Sequence, residues 1–194
     1  MLNISEIRAG KHLDLTNINL CGQDLGGATL DNVDFSGSNL MGVNLSGASL
    51  HNAILRCNLR GADLTGADLT NADLHGADLR GAILLDCDVK NASFAGAFLG
   101  GAILTKLDLS SGDLRGADLR GASLKGAFLS FADLTNTNLR GADFSDSDLE
   151  EANLLGAVVM GADFTNANLL CAVFDTQLLS LATVTGACFP EIIN

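Results

Sequence analysis

Tryptophan and tyrosine are absent, and proline occurs once, at Pro190. No run of 18 apolar residues exists, and no basic segment leads into an apolar one at the start. Neither a membrane span nor a secretory leader is therefore expected, and the default is a soluble cytoplasmic protein. Positive charge is scarce: 11 Lys and Arg face 23 Asp and Glu, a formal net charge of −12. That balance argues against direct binding to nucleic-acid phosphates, which needs a basic face. The cysteines, Cys21, Cys57, Cys87, Cys171 and Cys188, are odd in number and form no CxxC pair. They read as reduced thiols acting as small apolar residues.

Catalytic signatures are missing too. His12, His51 and His75 stand alone, and spacing assembles no Ser/His/Asp or Cys/His set. A GxxxxG spacing occurs, as at Gly116 and Gly121, but no Gly-Lys-Ser/Thr follows, which excludes a phosphate-binding loop of that type. No calcium-loop spacing appears. The expectation is a non-enzyme with no catalytic residue, no metal and no cofactor.

What is present is a period of five. Residues 61–80 read GADLT GADLT NADLH GADLR. Large apolar residues fall at 15, 20 and so on to 55, then at 59, 64 and so on to 189. These 36 positions hold 27 Leu, six Phe and three Val. Two residues before each, 23 of the 36 are Ala; two residues after, Gly occurs 18 times and Asn seven. The residue between the small one and the large one is mostly Asp or Asn.

Five residues advance an α-helix by about 500°, so such leucines would drift about 140° per repeat and form no stripe. In a flat strand an odd period sends alternate leucines to opposite faces. A chain that turns a corner every five residues buries them all. Gly or Asn supplies the positive φ of a type II turn. Four corners close a square coil, and coils stack about 4.8 Å apart. About nine coils then make a rod of roughly 40 Å.

The repeated strings resemble the A(D/N)Lxx consensus of the pentapeptide repeat family over residues 13–189. The nearest rival, the leucine-rich repeat, has a longer unit without four equivalent sides. The resemblance implies an all-β fold, a right-handed quadrilateral parallel β-helix; its handedness is the family's and does not come from the period. Some family members protect DNA gyrase as negative rods about as wide as duplex DNA, and some pair end to end.

The expected organisation is a cap over 1–12, the β-helix over 13–189 and a tail over 190–194. In the cap, Asn3 sits as N-cap with Glu6 at N3, Leu2 and Ile7 as staple residues and Gly10 as stop, which predicts a short helix over 4–9. One residue is missing between Leu55 and Leu59, so Arg56 serves a corner alone and the coil near 56–58 should distort. Leu13, Ile18, Gln23, Val33 and Val43 are bulkier than Ala and predict wider first coils. Leu107 and Gln177 break the small-residue pattern. Pro190 stops ladder pairing, leaving Ile192 and Ile193 to cover the last coil or join a second copy.

Residues 20 apart should stack on one side. Arg60, Arg80, Arg120 and Arg140 then line one edge: either a ladder of ion pairs with Asp78 and Asp118, or a stripe for an acidic partner. Ile83 and Ile103 stack, with Phe98 on the adjoining side, as an apolar patch fit for a partner. Phe128, Val158, Val173 and Leu178 form a second scatter. Asp68, Asp88, Asp108 and Asp148 form an acidic column, and Asp73, Asp113 and Asp133 another. The favoured function is a protein–protein interaction scaffold with an unidentified protein partner, as monomer or end-to-end homodimer. The alternative is a DNA-mimicking modulator of gyrase, a type II topoisomerase.

Overall fold

The computed structural model describes residues 3–176 and 178–189, except the side chains of Leu178 and Leu179. Gln177 and the 190–194 tail, for which sequence expectations were stated, lie outside the described residues, as does Leu2.

The regular corners close by a local hydrogen bond. The Ala28 N–H donates to the Leu25 carbonyl at 3.0 Å, and Gly27 between them has φ 65°. The corner demands the left-handed conformation whatever residue stands there: Asn71 has φ 59°, Lys106 60° and Phe131 62°. Gly and Asn dominate because they adopt it at least cost.

Asp or Asn before each inward residue has a structural task that periodicity did not reveal. Its side-chain oxygen accepts the backbone N–H two residues on, as Asp63 does from Thr65 at 2.9 Å and Asp133 from Thr135 at 3.0 Å. Each is an Asx turn that fixes the bend.

Between coils the rungs are parallel. Asp14 pairs with Asp34, Asp34 with Ile54, and the column continues through Asp73, Ser93, Asp113, Asp133, Asn153 and Val173. Three more columns start at Asn19, Asp24 and Thr29, so the cross-section has four sides, numbered here in that order. The step is 20 residues except where the four-residue unit shortens it, as from Asn39 to Asn58. At that point the usual corner gives way to a two-residue reach, Cys57 N–H to Leu55 carbonyl at 2.7 Å, an inverse γ-turn bond. The Arg56 guanidinium is tied to Asp73.

The inward Leu and Phe residues from Leu15 to Leu169 are buried, and Ala fills the slots beside them. Where a hydroxyl takes that slot it finds a carbonyl: Thr137 Oγ1 donates to Leu134 O at 2.7 Å and Ser147 Oγ to Phe144 O at 2.6 Å. Val33 and Val43 are buried, whereas Leu13, at 62% exposure, faces solvent at the first coil.

Helix α1, Ile4–Arg8, starts the structure. The Asn3 side chain accepts from Ser5 N–H at 3.0 Å, and Gly10 ends the turn at φ 66°. Ile7 is fully buried, and Arg8 donates to the carbonyls of Asp24 and Gly26.

Two rungs are missing among the described residues. On the second side, Val158 has no rung to residue 178, because Leu178–Leu181 forms helix α2. The backbone at 178–181 is thus helical where the five-residue period of the sequence continues. The corner positions there are Thr176 and Leu181, a β-branched and a γ-branched residue where φ must be positive, so the chain leaves the square path. Asp175 repairs part of the loss: its carboxylate accepts from Gly156 N–H at 2.9 Å.

On the fourth side, Asp88 has no rung to Asp108. Leu107 occupies the slot that Ala67 and Ala127 fill on neighbouring rungs, and Cys87 sits directly beside it. Both are buried or half-buried, so two oversized side chains share one narrow layer. Close packing leaves no slack for the extra atoms, and the coils part there. A cleft of about 580 Å³ marks the gap beside Asp88, and one of about 330 Å³ the gap beside Val158.

Candidate interaction surface

The residues singled out from sequence converge. Arg60, Arg80, Arg120 and Arg140 stand on the second side, each two positions after a rung residue of the column Asn58, Asp78, Phe98, Asp118 and Asn138. Phe98 lies in the middle of that column, 46% exposed. Ile83 and Ile103 pair across one rung on the third side, around the corner at Gly101. Ile103 is 38% exposed and Ile83 half-buried.

The arginines are not equivalent. Arg80 grips Asp78, its Nε to Oδ1 at 2.8 Å, and Arg120 grips Asp118 in the same way at 2.8 Å. The side-chain bonds from these guanidinium groups hold both carboxyls below the usual carboxylate range. Arg60 and Arg140 follow Asn58 and Asn138, which carry no charge. Among the described residues neither reaches a carboxylate at salt-bridge distance; Arg140 Nη2 instead contacts Met160 Sδ at 3.1 Å, and Arg60 adds only its field at Asp78. Two partly committed cations thus flank two paired ones, about 19 Å apart over four rungs.

Phe98 sits between them. The Arg80 guanidinium carbon lies 6.0 Å from its ring centre, at the outer edge of cation–π range. Gly100 stands on the rung between Arg80 and Arg120, where an added Cβ would touch the Arg80 side chain at 3.7 Å and the Arg120 carbonyl at 3.6 Å. On the other three sides carboxylates outnumber cations: the first, for example, sets Asp14, Asp34, Asp73, Asp113, Asp133 and Asp175 against Arg56 and Arg115. The second side alone carries net positive charge.

A second apolar region adjoins α2, where Leu155, Val158, Met160, Val173 and Leu181 are exposed beside the smaller cleft. Phe128 and Phe131 lie apart from it on the fourth side and its corner. Cys57 and Cys87 are thiols whose burial pushes their pKa up to about 12, which makes them poor nucleophiles. Among the described residues no group of three or more His, Cys, Asp or Glu converges to hold a metal ion. None of their helices is long and apolar enough to cross a membrane.

The profile of the pentapeptide repeats family matches residues 24–56, 56–86, 82–121, 117–156 and 142–176. The chain belongs to the pentapeptide repeat family. Among solved structures it is similar to HetL of the cyanobacterium Nostoc sp. strain PCC 7120, a pentapeptide repeat protein involved in heterocyst differentiation regulation. The two are 32% identical over 93% of this chain and 86% of that one, with a TM-score of 0.31. Full-length QnrB1, a plasmid-mediated fluoroquinolone resistance protein, is 18% identical over 92% and 94%, at TM-score 0.47. Rfr23 of the cyanobacterium Cyanothece 51142, another pentapeptide repeat protein, is 24% identical over 89% and 97%, at TM-score 0.19. No curated protein sequence matches. The quadrilateral β-helix of the family agrees with the four columns of parallel rungs seen here.

Proposed function

We propose that this pentapeptide repeat protein is a non-enzymatic interaction scaffold whose second side docks an acidic protein partner. Phe98 with Ile83 and Ile103 forms the apolar anchor, and Arg60 and Arg140 are the outlying cationic contacts. The observation that carries the reading is the single basic side, with an exposed aromatic at its centre, on a chain of net charge −12. Arginine and aromatic residues dominate interface energetics, and charge complementarity steers encounter. A rod of about nine coils, capped by α1, presents this side at little cost in ordering.

Quantitative pull-down tests the reading. Acidic proteins recovered by the wild type should fall about tenfold with Arg60→Glu/Phe98→Ser/Arg140→Glu and stay constant with Lys125→Glu on the third side. Equal recovery by all three proteins sinks the proposal.

The three acidic sides support a second reading, mimicry of DNA toward gyrase. It demands inhibition or drug protection in a supercoiling assay at micromolar protein. No effect removes it and leaves the scaffold reading standing.

A further inference from the structure

Three cross-coil bonds tie an intact rung of the fourth side. Between the coils of Asp68 and Asp88, Leu69 N–H reaches Asp88 O at 2.7 Å, Asn71 N–H reaches Lys90 O at 2.8 Å and Asp88 N–H reaches Ala67 O at 3.0 Å. One coil on, the equivalent N–H groups, on Val89, Asn91 and Asp108, find no backbone acceptor among the described residues. Neither does Asp86 N–H at the preceding corner. The break is bounded in the chain: Leu84 N–H reaches Ile103 O at 2.9 Å before it, and Phe94 N–H reaches Asp113 O at 2.9 Å after it.

The other walls are whole at this level. Phe98 follows Asp88 and precedes Asp108 by the same half-turn of chain, so it stands across the rod from the break. Its rungs to Asp78 and Asp118 are both present, with Leu79 N–H to Phe98 O and Leu99 N–H to Asp118 O each at 2.7 Å. The rungs Ser93 to Asp113 and Ile83 to Ile103 hold on the flanking sides. One wall can therefore part while three stay laced. Opposite walls, like packed sheets, lie about 10 Å apart, so each ångström of parting tilts one half of the rod by about 6°. Little fixes the width of the opening. Cys87 and Leu107 fill adjacent slots that hold Ala67 and Ala127 on neighbouring coils, which prevents the rung from settling. The cleft of about 580 Å³ has room for water, which satisfies the unmet amides over a range of widths.

We infer that the break between residues 86–92 and 105–112 is a hinge, about which the two halves of the rod bend toward the second side along a line through Phe98. Leu107 and Cys87 keep it unlocked. Opening the fourth side makes the second side concave, and Arg60 and Arg140, which project beyond the hinge line, converge over Phe98. The hinge is a property of the backbone and stands whether or not the second side takes the partner proposed for it.

Distances between paired spin labels on the free protein test it. The labels ride on introduced ketone side chains, so the native thiols take no part. Labels at His51 and Glu150 lie on the fourth side, two coil steps below and above the break; labels at Met41 and Arg140 give a matched pair on the second side. Five intact steps would place either pair about 24 Å apart. The fourth-side pair should lie beyond that spacing and spread at least about twofold more widely than the second-side pair.

Cys87→Ala/Leu107→Ala installs the residue of the neighbouring rungs. It should slow hydrogen exchange at the Val89 and Asn91 amides about tenfold, which reports the restored rung, and narrow the fourth-side distances to the width of the second-side ones. A fourth-side distribution as narrow as the second-side one in the original protein overturns the inference, whatever its mean, because a rigid kink does not bend. A broad distribution that persists in the variant after those amides become protected overturns it as well. So do amides that stay unprotected in the folded variant, since Cys87 and Leu107 would then not be what keeps the wall open.

Discussion

Phe144 lies flat over Phe164 on the next coil, ring centroids 5.0 Å apart and planes 11° from parallel. Both are fully buried at inward positions that hold leucine in most coils. Phe164→Ala should cost about 3–5 kcal/mol, because it removes a ring and leaves the facing one beside a cavity. Phe164→Leu should cost under about 1.5 kcal/mol, since leucine is native to the series. Urea midpoints of the two variants check this. Similar losses for both would show that the interior does not discriminate shape.

Acid should loosen the corners. Side-chain and backbone hydrogen bonds from Thr65, Thr70 and Thr165 hold Asp63, Asp68 and Asp163 below the ordinary carboxyl value. A folded pKa below the unfolded one, about 3.9, adds stability that is complete above the unfolded value. That stability is lost as pH falls through the folded one. In Asp63→Asn/Asp68→Asn/Asp163→Asn the amide oxygens still cap the turns but no longer titrate. The advantage of wild type over this variant should therefore shrink as pH drops from 5 to below about 3. Denaturation midpoints across that range measure it; an advantage that grows on acidification contradicts the assignment.

Phe131 occupies a left-handed corner at φ 62° with 58% of its surface exposed. Farther along that edge, Asn52, Asn71 and Asn91 tolerate the conformation and hydrogen-bond in series, side chain to side chain. A bulky residue there carries strain on the order of 1 kcal/mol. Phe131→Gly and Phe131→Asn should each raise the thermal midpoint, with Asn the better of the two because it spends less chain entropy. A lowered midpoint for both would mean that the phenyl ring makes a stabilising contact.

The paired arginines should matter little to stability. Arg80, Arg115 and Arg120 bond Asp78, Asp113 and Asp118, but the arginine side chains are 48–60% exposed. Pairs this exposed contribute little to stability. Arg80→Ala or Arg120→Ala should shift the urea midpoint only slightly, and the shift should vanish in high salt. A loss several times larger would reveal a role in the ladder itself.

Much of this was written into the sequence because one local rule recurs. Leu, Ala and a Gly or Asn follower at fixed offsets specify inside, slot and bend, so four columns follow from the period. The missing residue at Arg56 was legible as a register slip, and the slip appears as a 19-residue step. The aspartates misled: they read as solvent-facing charge, whereas many cap the bends, a task that only the hydrogen bonds expose. Helix α2 was missed because Leu179 keeps the five-residue beat while Thr176 and Leu181 fail the corner requirement. The gap beside Asp88 was half-visible. Leu107 flagged it, but its effect depends on Cys87 on the adjacent rung, and that adjacency exists only in three dimensions.

The 20-residue step also makes the rod a measuring device. A whole coil inserted between Arg80 and Arg120 would move Arg140 one graduation, about 4.8 Å, farther from Arg60 and leave both on the same side. Five inserted residues would swing everything downstream a quarter-turn, and the two arginines would no longer address a common surface. Distance and direction are thus set separately, by the number of turns and by the remainder left over.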